Sequence, residues 1–128
     1  ATVEAAKYDG INLISLGGAF NPATSSFVGI FAQQALSDLR ITKAFLCATG
    51  VTVESGMSNT TFLEAEIKRG VVSHASSVIL VADNSKLGHD ATVTFCRLQD
   101  ISTFVTDQKP APKFVEFCRA HNIRLVWE

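Results

Sequence analysis

Two patterns of apolar and polar residues alternate along this chain. Dense apolar runs at 11–16, 43–48, 77–82, 102–106 and 123–127 read as strands. Between them, apolar residues recur every three or four positions, the spacing of a helix with one buried face. Residues 11–16 stop at Gly17-Gly18, a strand entering a glycine loop. Ser25 or Ser26 can cap a helix reaching about Leu39. In it Phe27, Ile30, Phe31, Gln34, Ala35 and Leu36 keep helical spacing, leaving Gln33, Ser37 and Asp38 to water. Residues 51–60, with their Gly, Ser and Asn, read as a loop. Thr61 caps a second helix with Glu64 as its capping-box partner and a seam of Leu63, Ile67, Val71 and Ala75. Residues 92–95 fit a short strand or an extended loop, and 97–100 fit a turn. Pro110 and Pro112 open a helix carrying Phe114, Val115, Phe117 and Cys118, which ends near His121-Asn122. Strands alternating with helices predict an α/β fold: a mainly parallel sheet with flanking helices and right-handed crossovers.

Composition narrows the possibilities. A length of 128 residues suits a single domain spanning 1–128. The chain is 47% hydrophobic and only 18% charged, with mean hydropathy +0.24. Two-sided burial of a parallel sheet produces such a bias, and so does an oligomer interface. Eleven Lys and Arg against 12 Asp and Glu give a net charge of −1 with no basic run, which argues against direct nucleic-acid binding. No apolar stretch approaches the ~20 residues of a membrane helix. The start Ala1-Thr2-Val3-Glu4 has neither a signal pattern nor an initiator Met, so the chain reads as a piece of a longer protein. Cys47, Cys96 and Cys118 are too far apart for a zinc ribbon or a redox pair. Cys47, inside an apolar run, is expected to be buried, and the odd count points to a reducing, cytoplasmic setting. No metal or cofactor is indicated.

Three segments could carry chemistry. Asp83-Asn84-Ser85-Lys86-Leu87-Gly88 leaves the end of the 77–82 strand, the position where open α/β sheets bind ligands. Asp83 can accept from hydroxyls, and Lys86 can meet a phosphate or carboxylate; alternatively Asp83 bonds its own backbone two residues on, in a plain turn. Gly17 and Gly18 let the backbone approach a ligand, or simply turn. Glu64 and Lys68 share a helix face at i, i+4. They form either a surface pair contributing a few tenths of a kcal/mol or a cleft pair in which Glu64 takes hydroxyls and Lys68 an anion. His74 and His121 sit at helix ends, where the dipole explains them, and His89 flanks the polar loop. No nucleophilic triad can be assembled.

The same motifs occur in one order: Leu16-Gly17-Gly18, Lys43-Ala44-Phe45-Leu46, Thr49-Gly50-Val51, Gly56, Glu64-Ala65-Glu66-Ile67-Lys68-Arg69, Asp83-x-Ser85-Lys86-x-Gly88 and Val105-Thr106-Asp107. From about residue 11 onward this order resembles the C-terminal effector-sensing domain of DeoR-type bacterial transcription regulators. The resemblance implies a fold like that of ribose-phosphate isomerases and CoA transferases. It further implies binding of a phosphorylated sugar or related metabolite, with Gly17, Gly18, Glu64, Lys68, Asp83 and Lys86 as the matching site positions. DNA contact would belong to a winged helix-turn-helix outside this chain, and the assembly would be a homo-oligomer. Family sensors open with a strand and an Asp-x-Gly-Thr-Thr-like phosphate loop that this sequence lacks, so the resemblance implies an N-terminally incomplete domain. On fold alone, a sugar-phosphate isomerase using Glu64 or Asp83 with Lys68 or Lys86 is the alternative, and an assembly module without a ligand is a third.

Overall fold

The computed structural model describes residues 2–128. Its centre is a four-stranded parallel sheet of β3 (Ile41–Leu46), β6 (Ala75–Val81), β8 (Thr103–Thr106) and β9 (Arg124–Trp127), in that spatial order. Two of its three crossovers carry an α-helix, α3 (Phe62–His74) between β3 and β6 and α4 (Pro112–Ala120) between β8 and β9, while residues 82–102 join β6 to β8 without one. Register places Ala44 beside Val78, Leu46 beside Leu80, Leu80 beside Phe104 and Phe104 beside Leu125. One face of the sheet therefore carries Val78, Leu80 and Phe104, all buried, and joins Ala65, Phe114 and Cys118 from the helices.

A second sheet completes this core. β4 (Gly50–Thr52), β5 (Gly56–Asn59) and β7 (Val93–Cys96) form an antiparallel trio that contributes Val51, Met57 and Phe95 to the same cluster. Residues 51–60 are thus a hairpin, where their composition predicted a loop. Buried polar strand residues account for the difference. Ser58, fully buried, donates to the Gly50 carbonyl (3.2 Å) and accepts from the Ala91 N–H (2.9 Å), while Thr52 donates to Asp90 (2.9 Å). Partners far along the chain satisfy these hydroxyls, and local pattern carries no trace of them.

The amino-terminal third departs most from expectation. A short helix α1 (Thr2–Ala5) leads into residues 11–17, which form no strand. Among the described residues nothing pairs with that run, and Ile11, Leu13 and Ile14 are exposed. Apolar patterning cannot make a strand without a neighbour for its backbone groups. Residues β1 (Ala19–Asn21) and β2 (Ser26–Val28) form an antiparallel hairpin, with the Phe20 and Phe27 rings 5.3 Å apart. That hairpin captures the expected start of the first helix, so α2 runs only Ile30–Ser37, entered from Gly29. Its buried seam is Ala32 and Leu36, and Ile30 and Phe31 face outward. Ala32 and Leu36 are the residues that close contact with Gly18 and Gly70 admits.

The outer face of the parallel sheet also corrects the idea of two-sided burial. Phe45 is 68% exposed there and Val81 38%. In α3 the only fully buried position is Ala65, while Leu63 of the expected seam is exposed. The Thr61 cap is as expected: its hydroxyl accepts from the Glu64 N–H (3.3 Å) and donates to the Glu64 carboxylate (3.0 Å). Thr61→Ala is therefore expected to cost about 1 kcal/mol, lowering the midpoint of thermal unfolding by roughly 3–5 °C. An unchanged midpoint in a calorimetric scan would show that tertiary packing alone holds this helix end.

Candidate functional site

Three parallel strands end side by side, and the chain leaving each contributes to one open hollow of about 520 Å³. Cys47 and Ala48 come from the end of β3, Val81, Ala82 and Asp83 from β6, and Val105, Thr106 and Asp107 from β8; Lys86 reaches in from the loop after β6. Parallel alignment makes this convergence unavoidable, since every strand points its carboxyl end the same way.

Two loops shape the hollow. In the first, Asp83 caps a single 3₁₀ turn (Asn84–Lys86); its Oδ1 accepts from the Ser85 N–H (2.9 Å) and from the Ser85 hydroxyl. The plain turn read from sequence is thus present, and the same carboxylate lines the hollow. The Ser85 hydrogen bonds hold the Asp83 carboxyl below the usual carboxylate range, with Lys86 adding to the effect. In the second loop, Asp107 Oδ1 accepts from the Asn84 backbone N–H (2.8 Å), the Asn84 side-chain amide (3.1 Å) and the Thr106 hydroxyl (3.2 Å). The Asn84 side chain is the first cause of a lowered Asp107 pKa. Both carboxylates are therefore firmly ionised acceptors.

Lys68 lies behind the hollow. Its ammonium donates to the Cys47 carbonyl at the end of β3 (2.6 Å) and to Asn59 Oδ1 (2.8 Å), and stands 5.1 Å from the centre of the Phe95 ring. Burial lowers its pKa, with nearby Glu64 partly offsetting the shift. Among the described residues the two form no ion pair within 4 Å. They instead line a smaller hollow of about 100 Å³ with Ser26, Phe27, Val28 and Ile67.

The six expected site residues thus fall into three groups. Asp83 and Lys86 share the main hollow, Glu64 and Lys68 share the smaller one, and Gly17 and Gly18 line neither. Gly18, at φ 102°, faces its own hairpin: a Cβ there would stand 2.7 Å from the Val28 carbonyl oxygen. His74 and His121 bond the Gly70 and Phe117 carbonyls in their own last turns, as dipole contacts do. His89 lies outside both hollows. Cys47, expected in the interior, is exposed and lines the main hollow, because its strand ends there. Cys96 and Cys118 are buried; burial pushes the Cys96 thiol up to about 11. Sequence reasoning missed Cys47, Thr106 and Asp107 as site neighbours, and placed Asn84 in the polar loop without its partners on the next strand end. The available signal was position: the residue after each parallel strand belongs to the same edge.

A parallel sheet whose strands end together at one hollow, with two carboxylates and an ammonium in its lining, is the architecture of α/β proteins that take small ligands. More narrowly, the chain belongs to the DeoR C terminal sensor domain family, which it matches over residues 2–108. The ordered motifs and the α/β class expected from them are borne out. The HTH-type transcriptional regulator IolR of Bacillus subtilis is 36% identical over 113 residues, covering 88% of this chain and 45% of that protein. The lactose phosphotransferase system repressor of Staphylococcus epidermidis is 34% identical over 99 residues, covering 77% and 39%. The HTH-type transcriptional regulator GlpR of Haloferax volcanii is 36% identical over 91 residues, covering 71% and 36%. This chain spans less than half the length of these relatives, two of which are named as HTH-type transcriptional regulators and one as a repressor. Among the described residues no helix is long and apolar enough to cross a membrane.

Proposed function

We propose that residues 1–128 are part of one effector-sensing domain of a cytoplasmic transcriptional repressor, and that a phosphorylated sugar or related metabolite is its ligand. The site is the hollow at the ends of β3, β6 and β8: Asp83 takes ligand hydroxyls and Lys86 the anionic end. Glu64 and Lys68 support that edge from α3, and Gly17 and Gly18 shape the neighbouring hairpin. Occupancy shifts the equilibrium between two arrangements of a homo-oligomer, and a winged helix-turn-helix outside this chain transmits the shift to DNA. The observation that carries this reading is the meeting of Asp83 and Lys86 in one hollow at the carboxyl edge of a parallel sheet.

The ligand is held without turnover. The matched relatives are named as HTH-type transcriptional regulators and a repressor, not as enzymes.

Isothermal titration of the 128-residue chain, beside a version that carries the upstream phosphate loop, with a panel of hexose and pentose phosphates tests the reading. At least one member is expected to bind saturably, and Lys86→Ala is expected to weaken it tenfold or more, since a compact charge at the anion is lost. Absence of saturable heat across the whole panel in both chains would overturn it. Sedimentation of the same samples, with and without the bound sugar phosphate, tests the homo-oligomer.

A further inference from the structure

Asp107 is tied to the polar loop after β6 more thoroughly than a turn requires. Asn84 spans the two strand ends: its side-chain amide reaches Thr106 Oγ1 (3.0 Å), Asp107 Oδ1 (3.1 Å) and the Gln108 carbonyl (2.9 Å), while its backbone N–H also meets Asp107 Oδ1 (2.8 Å). All of these contacts to the Asp107 carboxylate, with that of the Thr106 hydroxyl, fall on Oδ1. Asp83 is held in the same fashion, with Ser85 bonded to its Oδ1. Each carboxylate thus has one oxygen fixed by its own loop. Neither Oδ2 has a hydrogen-bond partner among the described residues, and both residues line the main hollow. They are near enough that Asp107 opposes the ionisation of Asp83.

We propose that Asp107, oriented by Asn84, is a second hydroxyl acceptor of the hollow and makes it selective for ligands carrying adjacent hydroxyl groups. The inference rests on the sensor reading above and specifies what its site recognises. Ionised carboxylates only accept hydrogen bonds, so their ligand must bring O–H donors. The lining sets two carboxylates against one ammonium, Lys86. Inorganic phosphate lacks the neighbouring carbon-borne hydroxyls of a sugar and meets more like charge than opposite charge there. A sugar phosphate can donate one hydroxyl to each carboxylate and turn its anionic end to Lys86. Asn84 is a positioning residue in this scheme and touches no ligand.

The test compares wild type, Asp107→Asn and Asn84→Ala by isothermal titration with the hexose and pentose phosphates and with inorganic phosphate. Asp107→Asn keeps a carbonyl oxygen for Asn84 to bond but replaces the free acceptor with an amide donor. For the sugar phosphate that wild type binds best, both variants are expected to weaken binding tenfold or more. Inorganic phosphate is expected to bind Asp107→Asn as well as wild type or better, because a like charge is gone. A purely structural role would weaken both ligands together. Circular dichroism checks folding; where Asn84→Ala unfolds, Asp107→Asn alone decides. Sugar-phosphate binding by Asp107→Asn within twofold of wild type, or a parallel loss of inorganic phosphate, would overturn the inference while leaving the sensor reading intact. If wild type binds no sugar phosphate, the sensor reading fails first and the selectivity of Asp107 with it.

Discussion

Gly56→Val is expected to remove about 3–5 kcal/mol of stability, a large share of the roughly 5–15 kcal/mol that holds a domain of this size. Two costs combine. Gly56 sits at φ 87°, where a side chain is strained. A Cβ there would also collide with the Cys96 carbonyl oxygen and lie 2.8 Å from the Arg97 Cα. Both obstacles are backbone, and Met57 beside them is fully buried, so nothing can swing aside cheaply. The companion Gly10→Ala separates the two costs. Gly10 has φ 92° but open space around it, so its substitution is expected to cost only about 1–2 kcal/mol. Urea unfolding of both variants reads the difference, and equal losses would show that crowding at Gly56 contributes nothing.

Lys68→Met is expected to cost about 2–3 kcal/mol despite keeping an unbranched side chain of similar length. The loss comes from two acceptors: the Cys47 carbonyl and the side-chain oxygen of buried Asn59 lose their donor together. The pH dependence gives a second signature. Burial lowers the folded-state pKa of Lys68 below 10.5. Between that value and 10.5 the unfolded chain binds more protons, so this residue adds stability as pH rises through that window. Below it, the full cost of burying the charge persists. The gap between wild type and Lys68→Met should therefore widen as pH climbs toward 10.5. A gap that stays constant or narrows in denaturant titrations would contradict a desolvated ammonium at this position.

Lys68 also shows why the candidate site was only partly legible in the sequence. Its i, i+4 relation to Glu64 was visible, yet helix spacing cannot say whether a face meets water or a strand end. Asn59 and the Cys47 carbonyl decide the matter, and they lie 9 and 21 positions away. Asp83 and Lys86 were legible because a strand and its polar exit are contiguous. Asp107 is not legible as a site residue from its motif, since its Asn84 partner comes from a different loop 23 positions earlier. Cys47 is exposed against expectation for a related reason: an apolar run records where a strand is, and not which end of it reaches the surface.

The later strands show the same division. Residues 77–82 and 102–106 carry enough β-branched and aromatic side chains to be recognised wherever they pack, and β6 and β8 fall within a residue or two of them. Residues 11–16 are equally apolar and stay unpaired, while polar 56–59 become a buried strand.

Local side-chain chemistry determined the α/β alternation, the Thr61 cap and the family, because each depends on residues near one another in the chain. Pairing, the exposed sheet face and the joining of three strand ends into one hollow were decided only in three dimensions. The physical reason is that strands and polar strand residues are stable only when a partner supplies the missing hydrogen bonds, and a linear pattern does not say where that partner is.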